Sequence, residues 1–419
     1  MTDSALTDQV DTGTAYGLKQ GTYDAALTEV GPGTPGGEAL RRYWQPVALS
    51  RQVSDLPKNV RLLGEDLILF RTRRGRAGLV YPRCIHRGST LAYGKVEDDG
   101  IRCNYHGWLF GPEGHTLDQP CEPDGGLKKH KYRQPWYPVE ERYGIVFAYM
   151  GPPERKPPLP RYSILENVPE GRVQIATDRT RIFGGPEILP ANWVQSYENV
   201  VDPWHVYVLH STLTGTQFSR LLTVVPKMTW EYSEIGLRSI SRRTLEDGTI
   251  FRRVSELVLP NAWIVAPPTD VEFGPCQEVM WHQPIDDTHT RVFLVKNTTP
   301  ELAEGWLDRS RMPLYDGNTK NWWELDEEGH QRYPGDYEAQ AGQGPITLHS
   351  EEHLASSDRG VSMYRRQWKQ IIKAVEAGEQ PMNADLTLIT ITAGNYLDKP
   401  TGAPQPPSPS SRVGAPPAR

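Results

Sequence analysis

The side chains best suited to chemistry fall into two groups. The first is Cys84-Ile85-His86 followed, after sixteen intervening residues, by Cys103-Asn104-Tyr105-His106. Each short loop offers one thiolate and one imidazole, and neighbouring hairpins would bring the loops together. Such a set suits either structural zinc as Cys2His2 or a Rieske [2Fe–2S] centre, with cysteines on one iron and histidines on the other. Zinc fingers keep the cysteine pair in one loop and the histidine pair elsewhere, so two mixed loops favour the cluster. Gly88 and Gly107 follow the two loops and permit close backbone approach, and Trp108 is placed to shield the centre. Cys121 and Cys276 have no such neighbours and read as packing or surface cysteines.

The second group lies in the stretch from Asn192 to His210. His205 and His210 are five residues apart, which on an ideal helix separates them by about 140° around the axis. They converge only if the helix ends or bulges between them. Pro203 disfavours helical geometry at Asp202 and suits the start of a new helix that Asp202 would cap. Taken alone, the two histidines are equally well read as surface or satisfied core residues. Joined by a carboxylate, they form the facial triad of a non-haem Fe(II) oxygenase, which leaves positions for O₂ and substrate. A Rieske centre in the same chain strengthens that reading, because reductive O₂ activation needs an electron supply.

These residues must be positioned by a chain of 419 residues carrying a formal net charge of −6. That balance excludes a generally basic nucleic-acid binder or a binder of anionic membranes. The start is polar and acidic without a cationic leader, and no apolar run is long enough to span a membrane. Four cysteines are too few for a disulfide scaffold, so a cytoplasmic chain with reduced thiols is expected.

With 38 glycines and 37 prolines the fold should be rich in loops rather than mostly helical. Short apolar runs at Val60–Leu63, Leu67–Phe70, Leu79–Tyr81 and Tyr143–Met150 predict a small all-β domain over 40–151. A proline-dense segment, 152–160, predicts a stiff linker. Beyond it, 161–399 predicts a helix over Ala191–Leu213 broken at Pro203, then strands at Thr229–Tyr232, Leu237–Arg243, Thr249–Val258, Gln277–Pro284 and Thr290–Lys296. A helix over Met363–Glu376, stopped by Gly378, follows. The N-terminal segment, 1–39, is expected to pack on this second domain, and the proline-rich tail, 400–419, to be disordered. The fold class is α+β.

With both metal groups in place, the chain resembles the large (oxygenase) subunit of Rieske non-haem iron aromatic-ring-hydroxylating oxygenases, in the phthalate and phenoxybenzoate dioxygenase group. The likeness runs from Leu27–Pro35 and Arg41-Arg42-Tyr43-Trp44 through Arg61–Leu67, Tyr105-His106-Gly107-Trp108 and Pro284–Thr290 to the segment around Asp358. The resemblance implies an all-β Rieske domain joined to a helix-grip-like catalytic domain, with an antiparallel sheet flanked by helices. It makes Cys84, His86, Cys103 and His106 the cluster ligands and His205 and His210 ligands of the mononuclear iron. It implies Asp358 as third ligand, although Ala355 stands where the pattern has glycine. Helix capping is the alternative for Asp358, and Asp326 or Asp336 would be the replacements. It makes Asp202 the bridge between one subunit's cluster and the next subunit's iron in a homotrimer, with helix capping again the alternative. Glu198 and Asn199 would line or support the site. The resemblance also implies that electrons come from NADH through a separate flavin and ferredoxin reductase.

The implied substrate is an aromatic compound, and aromatic carboxylates favoured by the group would suit an arginine such as Arg238, Arg242 or Arg252. Trp193 or Tyr197 would line the pocket. A Rieske O-demethylase or monooxygenase and, more distantly, a non-catalytic Rieske electron carrier are the other readings.

Overall fold

The computed structural model describes residues 15, 18–178, 186–213, 218–268, 271–307 and 324–399; the tail 400–419 and residues 1–14 lie outside the described residues. Two short helices come first, α1 (Ala25–Thr28) and α2 (Pro35–Arg41). Thr34 caps α2 by accepting from the Gly37 N–H, and Pro35 fills the first turn, where no amide is needed.

The next strands are β1 (Trp44–Leu49), β2 (Lys58–Leu62), β3 (Glu65–Arg71), β4 (Ala77–Val80), β5 (Lys95–Val96), β6 (Ile101–Arg102), β7 (Leu109–Phe110), β8 (Thr116–Asp118), β9 (Trp136–Tyr137), β10 (Val139–Arg142) and β11 (Ile145–Tyr149). They make three small sheets in the orders β1-β11-β10, β2-β3-β4-β9 and β5-β6-β7-β8. The Cys84 loop leaves β4, and the Cys103 loop joins β6 to β7. Beneath both loops Ile68, Phe70, Val80, Leu91, Ile101 and Phe110 form an apolar floor. The proline-dense segment is docked rather than free: Trp44 Nε1 donates to the Pro157 carbonyl at 2.9 Å, and Leu159 is buried.

After it come β12 (Arg161–Tyr162), β13 (Val173–Thr177), β14 (Ile188–Leu189), α3 (Trp193–Val201), α4 (Trp204–Tyr207) and a π-helical turn over Val208–Leu213. The sheet that follows is built from β15 (Lys227–Ser233), β16 (Gly236–Thr244), β17 (Ile250–Val258), β18 (Ala262–Ile264), β19 (Gly274–Pro275), β20 (Glu278–Asp286) and β21 (His289–Thr298). Helices α5 (Pro300–Leu307), α6 (Glu327–Arg332), α7 (Asp336–Ala341) and α8 (Arg359–Glu376) precede β22 (Leu388–Ile389) and β23 (Gly394–Asp398). The sheet runs β13-β21-β20-β18-β17-β16-β15, with β23 added beside β17 and antiparallel to it. Burial alternates along β16, whereas β18 and most of β20 are buried on both faces. The chain is α+β, a β-rich N-terminal part followed by an antiparallel sheet gripped by helices.

One face of the large sheet is covered by α3 and α8. Leu237, Leu257, Trp263 and Met280 from the sheet pack with Val194, Tyr197, Tyr364 and Trp368 from the helices, and α1 contributes Leu27. The opposite face packs on the β1–β11 sheet through Phe147 and Trp281. Trp193 and Tyr197, expected in the pocket, belong to the first of these cores instead. Trp193 stands edge-on to Trp368 at 5.5 Å, and the Tyr197 hydroxyl donates to the Ala262 carbonyl at 2.7 Å. Helix α3 carries the metal region, and a buried charge network fastens it to α8. Arg365 donates to both carboxylate oxygens of Glu198 and to both of Glu352. Removing one partner strands the other charges, so Arg365→Met should destabilise the protein by about 3 kcal/mol or more. Urea unfolding of the two proteins measures this; a change within about 0.5 kcal/mol would show the network to be dispensable.

Candidate metal centres

The two N-terminal loops repeat one backbone design. The Gly88 N–H donates to the Cys84 carbonyl at 2.8 Å, and the Gly107 N–H to the Cys103 carbonyl at 3.1 Å. Both glycines have φ of +74°, a conformation that costs any other residue steric strain. Gln134, fully buried, braces the first loop: its side chain accepts from the Ile85 N–H and donates to the Tyr81 and Arg83 carbonyls. The Cys84 and Cys103 thiols are buried and unpaired, whereas His86 and His106 sit at the rim with ring centroids 4.7 Å apart. Two inward sulfurs and two outward imidazoles fit a cluster with its histidine-ligated iron nearer the surface. Trp108 stacks on His86 at 4.6 Å with the rings 4° from parallel, the shielding its place in the chain suggested. Cys276 is buried, whereas Cys121 is exposed and its Sγ approaches the His106 carbonyl at 3.6 Å.

The second centre depends on a broken helix. Asn192 caps α3 by accepting from the Val194 N–H, and α3 stops at Val201. Asp202 then accepts from the Trp204 N–H at 2.8 Å and caps α4. The turn into π geometry at Val208 supplies the bulge that a spacing of five requires, and the His205 and His210 rings come to 5.5 Å. The third member is Asp336, at the first residue of α7. Its Oδ1 lies 3.7 Å from His205 Nε2 and its Oδ2 3.3 Å from His210 Nε2. One ligand atom from each of the three falls within 4.8 Å of the others. Ligands in adjacent positions at about 2.1 Å from an ion stand about 3 Å apart, so the donor set fits a single metal.

Asp358 does not join them. Its Oδ2 accepts from the Ala355 N–H at 2.7 Å, and the residue leads directly into α8. That bond closes the short turn Ser356–Asp358 that feeds α8, a local structural role, and the side chain makes no capping bond to α8 itself. Asp326 caps α6, accepting from the Gly329 N–H. Asn199 reaches across from α3 to donate from Nδ2 to Asp336 Oδ1 at 3.0 Å, which orients the carboxylate. Asp202 does two things at once: Oδ1 caps α4, and Oδ2 faces His205 Nδ1 at 3.6 Å. Burial works to lower the His205 pKa, but Asp202 and Asp336 outweigh it and raise it. Burial works to raise the Asp336 pKa, but His210, His205 and Asn199 hold it below the usual range. Asp336 is thus held as the ionised carboxylate a divalent cation needs, whereas His205 is biased toward its protonated form and would give up that proton to a bound metal.

The expected sheet arginines are already engaged. Arg238 pairs with Glu256 and Glu231, Arg252 pairs with Asp398, and Arg242 donates to Thr229. All lie on the face turned away from α3.

A cluster cradle, a second His/His/Asp triad that could hold a metal and a helix-gripped sheet together define the large subunit of a Rieske non-haem iron oxygenase, and the chain belongs to that family. Residues 43–135 match the Rieske [2Fe-2S] domain. The chain is 47% identical over 400 residues to phenoxybenzoate dioxygenase subunit alpha of Ectopseudomonas oleovorans, spanning 93% of this chain and 96% of that one. It is 36% identical to the tert-butanol monooxygenase / tert-amyl alcohol desaturase oxygenase subunit of Aquincola tertiaricarbonis, over 85% of this chain and 77% of that one. Its fold is similar to dicamba monooxygenase bound to dicamba, with a TM-score of 0.57 at 15% identity, covering 81% of this chain and 99% of that one. Among the described residues no helix is long and apolar enough to cross a membrane.

Proposed function

We propose that this subunit is the terminal oxygenase of a multicomponent system that hydroxylates a carboxylate-bearing aromatic compound with electrons drawn from NADH. The observation that carries the reading is the convergence of His205, His210 and Asp336 in a chain that also holds a Rieske domain. Likeness to a phenoxybenzoate dioxygenase subunit supports the aromatic acid. In this reading His205, His210 and Asp336 hold a ferrous ion, Asn199 fixes the carboxylate, and the buried helix α3 backs the site against water. A metal held there supplies reductive activation of O₂. Asp202 connects His205 to a cluster histidine of the neighbouring subunit in a cytoplasmic homotrimer, and a separate flavin and ferredoxin reductase feeds the cluster.

Metal and sulfide analysis of iron-replete protein tests the core of this. About three irons and two acid-labile sulfides per chain are expected, with O₂ and NADH consumed only when a reductase and an aromatic acid are supplied. A colourless zinc protein without sulfide would refute the cluster. About two irons and no O₂ uptake would instead identify an electron carrier.

A further inference from the structure

Along β16 and β17 the register pairs Leu237 with Leu257, Ser239 with Ser255, Ser241 with Arg253 and Arg243 with Phe251. Successive side chains alternate between faces, so these residues share one face of the sheet. It is the face that α3 and α8 cover, since Leu237 and Leu257 pack with Val194 and Val201. Beyond those leucines the face turns polar and carries two arginines, Arg243 standing opposite the buried Phe251. Arg243 is 1% exposed and Arg253 9%.

Their partners are all neutral. Arg243 donates from Nε to the Val224 carbonyl at 2.9 Å and from Nη1 to Ser241 Oγ at 2.7 Å. Arg253 donates to the carbonyls of Ala266 and Pro267 and to Asn395 Oδ1. Among the described residues neither has a carboxylate at ion-pair distance. Glu278, whose charge reaches Arg253, is itself 2.9 Å from Lys296. Burial, and for Arg243 the nearby Arg253, push both pKa values down to about 10, so both guanidiniums remain charged at neutral pH. Two neighbouring buried cations with no carboxylate at ion-pair distance among the described residues are costly, and an anion placed between them relieves the cost.

A chain of contacts links the arginines to the metal centre. The Phe218 ring lies 4.2 Å from the His210 ring. The next residue, Ser219, donates its N–H to the Pro268 carbonyl, beside the Pro267 carbonyl that Arg253 holds. On the other side Trp230, the register partner of Ser239, donates to the Val201 carbonyl at the end of α3.

We propose that Arg243 and Arg253 together bind the carboxylate of the substrate and so direct its ring toward the metal held by His205, His210 and Asp336. This rests on the aromatic-acid reading above. A planar guanidinium matches a carboxylate with two parallel hydrogen bonds, and Ser241 steadies Arg243 for that task.

Calorimetric titration of the iron-loaded holoenzyme with 4-phenoxybenzoate and its amide, and with benzoate and its amide, tests the site. The wild type should prefer each acid by about 30-fold or more. Arg243→Gln and Arg253→Gln should each cut that preference to about 3-fold or less, with Arg243→Lys intermediate. An acid bound by the wild type no more tightly than its amide, or a preference that survives both glutamine substitutions, overturns the proposal. The wild-type comparison stands even if a buried substitution costs the fold. Turnover assays on the same compounds separate the two readings. Arginine-dependent acid binding with no aromatic oxidised would refute the proposed function and keep the site. Aromatic acids oxidised by the wild type, with the acid preference intact in both glutamine variants, would keep the function and refute the site.

Discussion

Asp336→Ala should strip the mononuclear iron from the protein while leaving the visible spectrum of the cluster intact. Iron content should fall from about three to about two per chain, and turnover by about 100-fold or more, since loss of a partner beyond the ligands alone costs 10- to 100-fold. Asp358→Ala should keep its iron and its turnover and lose only about 1 kcal/mol of stability, the worth of a local hydrogen bond. The contrast is decisive because the two aspartates exchange roles between the two readings of the site. Asp336 offers one oxygen to each histidine at 3.7 and 3.3 Å, and Asn199 holds it there. Asp358 spends its oxygen on the Ala355 amide. Iron analysis and single-turnover product yield check both variants. Iron lost from Asp358→Ala and retained by Asp336→Ala would reverse the assignment.

The difference between those aspartates shows where sequence reasoning stopped. The candidate cluster residues were legible because each pair sits within one tight loop, and a spacing within a loop survives folding unchanged. The kink between His205 and His210 was legible for the same reason: a separation of five on a helix demands a bulge, and the π turn at Val208–Leu213 provides it. The third member of the candidate triad comes from α7, more than a hundred residues downstream, and an aspartate at a helix start looks like a cap wherever it stands. Only the packing of α7 against α3 makes Asp336 different. The arginines pose a second version of the problem. Arg242 and Arg243 are adjacent on β16, as Arg252 and Arg253 are on β17, so each strand offers one arginine to each face. A shift of one residue exchanges them. The leucines at 237 and 257, packed beneath the helices, fix which of each pair turns inward, and that is a property of the assembled sheet.

For Asp202→Asn the expected result is normal iron and sulfide content, normal substrate binding and slowed electron delivery. Asparagine is nearly the same size and still caps a helix, so the Trp204 N–H should keep its partner and α4 its start. What changes is the atom facing His205 Nδ1, now an uncharged amide in place of a carboxylate oxygen at 3.6 Å. An imidazole that had a carboxylate to donate to loses it, and the path toward any imidazole beyond Asp202 is broken. Among the described residues neither His86 nor His106 lies at ion-pair distance from Asp202, although its side chain is 32% exposed and open to a neighbour. The cluster that feeds this metal therefore belongs, on the proposed reading, to another copy of the chain. Single-turnover oxidation of a pre-reduced cluster, followed by stopped flow, should slow by about 100-fold in Asp202→Asn. A rate equal to wild type would leave Asp202 as a helix cap alone. A slowed rate accompanied by lost iron would make it a support for His205 rather than a conduit.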